Sequence, residues 1–185
     1  MRKLVITQNI TLDGSIEMLD DWFDPRDQAD RSDLLQEIRR QDRKSDAFLT
    51  GRRTFEDLRA YWSPLSDDPT GIADYLNAVD KFVVSSTLTD PVWRHSTVLS
   101  GDPVTEVGAL KRQPGLDIVA TGSITLCHSL IEAGLVDEYR FFVYPVVQGR
   151  GRRLFPEGYT VPRLRLIESH AFRAGVTYSS YTPES

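Results

Sequence analysis

The sequence predicts a three-layer α/β fold with a mostly parallel central sheet and a C-terminal antiparallel hairpin. Three observations predict it. Short apolar, β-branched runs alternate with helix-period segments over the first three-quarters of the chain. Two of those runs, ending at Thr50-Gly51 and Thr121-Gly122, turn through glycine directly into a helical pattern. The last quarter changes to two alternating strands with Ala174-Gly175 where a hairpin would turn. Strands that alternate with helices imply parallel pairing, and a terminal hairpin adds antiparallel edge strands.

Each element has a local reason. The first strand, near 2–10, carries the run Lys3-Leu4-Val5-Ile6. A loop over 11–28 leads to a helix near 29–44. Strand 46–51 passes through Gly51 into helix 53–60. Helix 71–78 precedes strand 80–86, built on Lys81-Phe82-Val83-Val84, and strand 96–100 follows. Asp102-Pro103 places an N-cap before a proline at the first position of helix 103–112. Strand 116–121 bends at Gly122 into helix 123–134, which Gly134 ends before strand 136–144. Alternating strands near 163–168 and 176–181 complete the chain.

The 185 residues suit a single domain, 1–185, with a substantial core. A net charge of -5 argues against nucleic acid as a partner. No apolar stretch approaches the roughly 20 residues of a membrane span, and the N-terminus lacks a signal-peptide layout. The single cysteine, Cys127, falls in a helical pattern and reads as packing; its lack of a partner fits a reducing cytoplasm. One cysteine and three scattered histidines form no metal site. The 11–28 loop is dense in acid (Asp13, Glu17, Asp20, Asp21, Asp24, Asp27) and contains Trp22 and Phe23, which suits either a lid or a solvated surface loop. At the two glycine turns, the free N–H groups and dipole of a helix N-terminus offer an anion site.

Several segments then resemble the dihydrofolate reductase-like fold family, in particular the branch of the riboflavin-biosynthesis reductase, the C-terminal domain of the bifunctional deaminase-reductase. They are Thr11-Leu12-Asp13-Gly14, Thr50-Gly51-Arg52-Arg53-Thr54-Phe55-Glu56, Gly122-Ser123 with Leu126, Leu135-Val136-Asp137-Glu138, and Pro145-Val146-Val147-Gln148-Gly149-Arg150-Gly151 through Leu154-Phe155. The resemblance covers nearly the whole chain and implies NADPH across the C-terminal edge of the sheet, where open α/β sheets bind ligands. It implies that Gly51 admits a close backbone approach, that Arg52 and Arg53 fork a 2′-phosphate, and that Thr54 donates a hydroxyl. The alternative is two solvated arginines and a capping threonine. Ser85, Ser86 and Thr87 would line the adenosine side, unless they are only a polar strand end. Gly122, Ser123, Ile124 and Thr125 would hold the pyrophosphate. Dihydrofolate reductases carry a Gly-Gly cis peptide at this turn, so the aligned bond, Thr121-Gly122, is expected to be cis. Asn9 through Ile16 would flank the nicotinamide.

On the substrate side the expected residues are Asp13, Trp22, Asp33 and Arg150. Folate reductases use a carboxylate on the first helix, and neither Asp33 nor Glu37 sits convincingly at the aligned position. Arg150, Arg152 and Arg153 suit either a phosphate clamp or a solvated turn. No general acid stands out, so the catalytic residue is unassigned and solvent would supply the proton. The expected activity is an NADPH-dependent reductase of the type acting on 5-amino-6-(5-phosphoribosylamino)uracil, with hydride transfer to a heterocyclic or small carbonyl/imine substrate. The chain lacks the deaminase domain often fused to that reductase, which leaves room for a different substrate. The alternatives are a dihydrofolate reductase and a non-catalytic nucleotide-binding module. A homodimer is expected, with Tyr139-Phe141-Phe142-Val143-Tyr144 able to serve either a sheet-edge contact or the monomer core.

Overall fold

A computed structural model gives the architecture and describes residues 1–20, 22–23, 30–161 and 163–184. The elements run β1 (Leu4–Thr11), α1 (Ser32–Asp42), β2 (Ser45–Gly51), α2 (Arg52–Trp62), α3 (Ile72–Ala78), β3 (Asp80–Val84), β4 (Ser96–Leu99), α4 (Pro103–Arg112), β5 (Asp117–Ala120), α5 (Ile124–Glu132), β6 (Glu138–Tyr144), β7 (Leu164–Ala171) and β8 (Thr177–Pro183). Every predicted element is present, displaced by a few residues at its ends. The predicted start of the first helix, residue 29, and the lid acids Asp21, Asp24 and Asp27 lie outside the described residues.

The strands form one sheet in the order β4-β3-β2-β5-β1-β6-β8-β7. Pairing is parallel from β4 through β6 and antiparallel at β6–β8 and β8–β7. Alternation along each strand sends neighbours to opposite layers. On β2, Ala47 and Leu49 join a core with Val107 of α4 and Leu130 of α5, while Phe48 faces Phe55 of α2 and Leu76 of α3. On that second face α1 packs separately, with Leu34 against Phe142, Tyr144 and Tyr178. A gap is left between α1 and the α2–α3 pair, floored by β5 and β1.

Local chemistry fixes the helix ends. The Asp102 carboxylate accepts from Thr105 N at 2.9 Å with Pro103 in the first turn. Past α5, Gly134 takes φ 64° and closes a double turn: Leu135 N donates to Leu130 O and Gly134 N to Ile131 O. At the terminal hairpin Gly175 takes φ 78°. β6 lies inside the sheet between β1 and β8, so its aromatics belong to the monomer core and form no sheet-edge contact; the edges are β4 and β7. No described helix is long and apolar enough to cross a membrane.

Candidate active site

The gap on the α1 face is a cleft of ≈ 750 Å³. Its floor includes Thr7, Asn9, Phe48 and Val119; α1, α2 and α3 supply its walls; the β5–α5 turn closes one end. That turn and the β2–α2 turn are neighbours because β2 pairs with β5. Their glycines are required by the close approach. A Cβ on Gly51 would overlap the Ser123 side chain, and one on Gly122 would fall 2.9 Å from Thr54 Cγ2. Thr54 Oγ1 accepts from Ser123 N at 2.8 Å and ties the two turns together. The first turns of α2 and α5 therefore leave their unpaired N–H groups side by side, a doubled anion-binding end.

The expected cis peptide at Thr121-Gly122 is corrected: no described peptide bond is cis. The chain reverses instead through two successive left-handed residues, Gly122 (φ 64°) and Ser123 (φ 51°). The Thr54 hydroxyl holds that bend by accepting from Ser123 N.

Asn9, Ile16, Arg53, Thr54, Gly122, Ser123, Ile124 and Thr125 all line the cleft. Gly51 lies just beneath it, buried behind Ser123. The two arginines diverge. Arg53 faces the cleft, whereas Arg52 donates to Glu56 at 2.9 Å and to Thr87 Oγ1 at 2.8 Å. Arg52 thereby links α2 to the strand end that carries Ser85, Ser86 and Thr87. Ser85 Oγ accepts the N–H groups of Thr87 and Leu88, and Ser86 is exposed; none of the three lines the cleft.

The expected substrate residues sit elsewhere. Asp13 accepts from Thr11 Oγ1, Gly149 N and Gln148 N, which hold its carboxyl down to about 2. It fastens the loop after β1 to the loop after β6. Arg150 pairs with Asp20 at 2.8 Å and Arg152 with Glu17 at 2.6 Å, so the acids and the arginine-rich turn neutralise each other. Asp33 accepts from Arg173 N at the hairpin turn. Glu37 is held by Arg40 and Gln41. Trp22 donates from Nε1 to Gln148 Oε1 at 2.9 Å and packs edge-on against Phe23 and Tyr144, and those two rings line the cleft. Cys127 is buried, its thiol pushed up to about 12 by burial, which suits packing.

Three further titratable residues face the cleft that sequence reasoning did not single out. Asp57 lies four residues after Arg53 on α2, so helical spacing alone could have found it. Asp42, at the end of α1, has its carboxyl raised to about 6 by burial, against the opposing charge of Arg43. Tyr75 of α3 exchanges a 2.8 Å hydrogen bond with Ser45 Oγ. Only the folded topology brings α1 and α3 to the same end of the cleft.

Comparisons with known proteins agree with this arrangement. The family model of the RibD C-terminal domain matches residues 2–178. The uncharacterized protein YyaP of Bacillus subtilis (strain 168) is 30% identical, over 97% of this chain and 94% of its own. A solved structure from Shewanella sp. PV-4, designated a candidate riboflavin biosynthesis protein, superposes with a TM-score of 0.70 at 19% identity, covering 99% of both chains. The diaminohydroxyphosphoribosylaminopyrimidine deaminase/5-amino-6-(5-phosphoribosylamino)uracil reductase of Thermotoga maritima superposes at 0.67 with 14% identity, over 98% of this chain and 56% of that longer one. With its three-layer sheet, terminal hairpin and paired glycine turns, this chain belongs to the RibD C-terminal domain family.

Proposed function

We propose that the protein is an NADPH-dependent reductase, passing hydride to a heterocyclic or small carbonyl/imine substrate. The observation that carries the reading is the pair of glycine-bent strand ends, locked by Thr54 and Ser123, that aims two helix N-termini at one end of a large cleft. The residues suit a phosphorylated dinucleotide. Backbone N–H groups of Ile124 and Thr125 would take the pyrophosphate, with Arg53 beside them; Arg52, Ser86 and Thr87 would meet a 2′-phosphate at the rim. Bound there, NADPH would supply the hydride, and the chain's own task is alignment and exclusion of water. Phe23 and Tyr144, braced by Trp22, would cover the substrate half. Relatedness to riboflavin-pathway reductases supports the reaction class.

The test is a titration of the apo protein with NADPH and with NADH, followed by the fluorescence of Trp62, which lines the cleft. NADPH should bind at least tenfold tighter, a difference of about 1.4 kcal/mol that one charge-assisted contact supplies. Arg52→Ala should erase the preference, whereas Arg53→Ala should weaken both dinucleotides alike. Equal affinity for the two dinucleotides in the native protein would refute the assignment.

A further inference from the structure

The substrate half of the cleft has a charge pattern that narrows what it can hold. Five ionisable acidic or basic side chains line the cleft among the described residues: Glu17, Arg53, Asp42, Asp57 and Arg152. Arg152 is spent on Glu17, through contacts of 2.6 and 2.8 Å. Arg53 sits at the phosphate end, beside Thr54. The carboxylates of Asp42 and Asp57 remain, and neither has a hydrogen-bonding or ion-pairing partner among the described residues. Asp42 stands at the far end. It precedes the start of β2, and β2 runs six residue steps from Ser45 to Gly51, about 20 Å, before the glycine turn. Its surroundings are otherwise apolar or neutral: Ile38 and Ile72 from the helices, and Tyr75 with its hydroxyl bonded to Ser45. A phosphate placed there would meet unpaired carboxylates and, among the described residues, no unpaired cation lining this half of the cleft. A flat apolar body with one cationic or N–H-donating group would meet aromatic walls and an unsatisfied acceptor.

We propose that this half of the cleft selects an unphosphorylated aromatic or heterocyclic substrate and grips its cationic or N–H-donating end with Asp42. This deepens the reductase reading and rests on it only for which end of the cleft is left to the substrate. A charge-assisted contact to a half-buried carboxylate is both strong and selective, because an anionic analogue would be repelled at the same point. Arg43 beside it opposes its charge and Tyr75 of α3 bears on it; Asp46 of β2 and Arg140 of β6 act in turn at the Tyr75 hydroxyl, and Asp57 of α2 lines the same cleft. Burial holds the Asp42 carboxyl near 6, so the grip strengthens as pH rises through that value.

The experiment measures binding of benzamidine, benzoate and phenyl phosphate to the full chain by calorimetry at pH 8 and pH 5, with NADPH affinity measured in parallel. Benzamidine, cationic at both pH values, should bind at least tenfold tighter than either anion at pH 8. It should weaken about tenfold at pH 5 and to the same extent in Asp42→Asn at pH 8, whereas Asp42→Glu should restore most of the affinity. NADPH affinity should be the same in all three proteins. A preference for phenyl phosphate, no benzamidine binding, or a benzamidine affinity indifferent to pH and to Asp42→Asn would each overturn the proposal. Failure of the reductase reading would show separately, as absent NADPH binding with the Asp42-dependent selectivity intact.

Discussion

Gly122 combines a left-handed φ of 64° with no room for a side chain. Gly122→Ala should cost about 1–3 kcal/mol in urea denaturation, since the strain and the clash with Thr54 add, and should abolish NADPH binding by breaking the Ser123–Thr54 hydrogen bond that holds the two turns together. Asp13 makes a prediction of the opposite kind. Its folded carboxyl lies near 2, below the ordinary value of 3.8. Its contribution to stability is therefore fully present above about pH 4 and is lost as pH falls through 2. Melting curves of wild type and Asp13→Asn should differ at pH 6 and converge as pH approaches 2. A gap that persists at pH 2 would show that the carboxylate's hydrogen bonds are not its origin. Individual residues were the least legible part of the sequence. Arg52 and Arg53 are adjacent and chemically identical, and only the fold decides that one faces the cleft while the other bridges to Thr87.

Among the elements, the loop after β1 and the loop after β6 behave as one unit because Gln148 holds them together. Its amide donates to Ser15 Oγ, Glu17 O and Arg150 O and accepts from Trp22 Nε1. Gln148→Ala should free the loop up to Trp22. Hydrogen exchange at residues 12–19 should quicken by at least tenfold, and KM for the substrate should rise more than kcat falls. Unchanged exchange would show that the aromatic contacts of Trp22 suffice. The elements themselves were readable in the sequence. Strand runs, the Asp102-Pro103 start and the Gly134 stop are short-range signals, and each appears where it was expected. The loop pairing was not readable. Arg150–Asp20 and Arg152–Glu17 span 130 and 135 residues, and composition alone left those acids as either a lid or a solvated surface loop.

For the whole molecule, the end of the sheet away from the glycine turns is held by a buried ion network. Arg140 donates to Glu138 at 2.7 Å and lies 3.5 Å from Asp117, with its side chain 4% exposed. Glu138→Ala leaves that guanidinium poorly compensated and should cost about 3–5 kcal/mol by chemical denaturation. A double replacement of Arg140 and Glu138 by apolar residues should cost less than the single one. If the costs simply add, the pair is not coupled. The overall architecture was legible because alternating strand and helix patterns leave few topologies. The cleft's acidic end was not, because Asp42 and Tyr75 are brought together only by the packing of α1 and α3 beside β2.

The Thr54–Ser123 hydrogen bond joins positions 69 residues apart in the chain. A dinucleotide seated on both turns would therefore have no partial docking place on a half-folded chain, and saturating ligand must raise the melting point as a single cooperative step. At a hundredfold excess over Kd the gain is about 2.7 kcal/mol. Calorimetry would register it as one displaced peak, with no early shoulder from a half that melts alone.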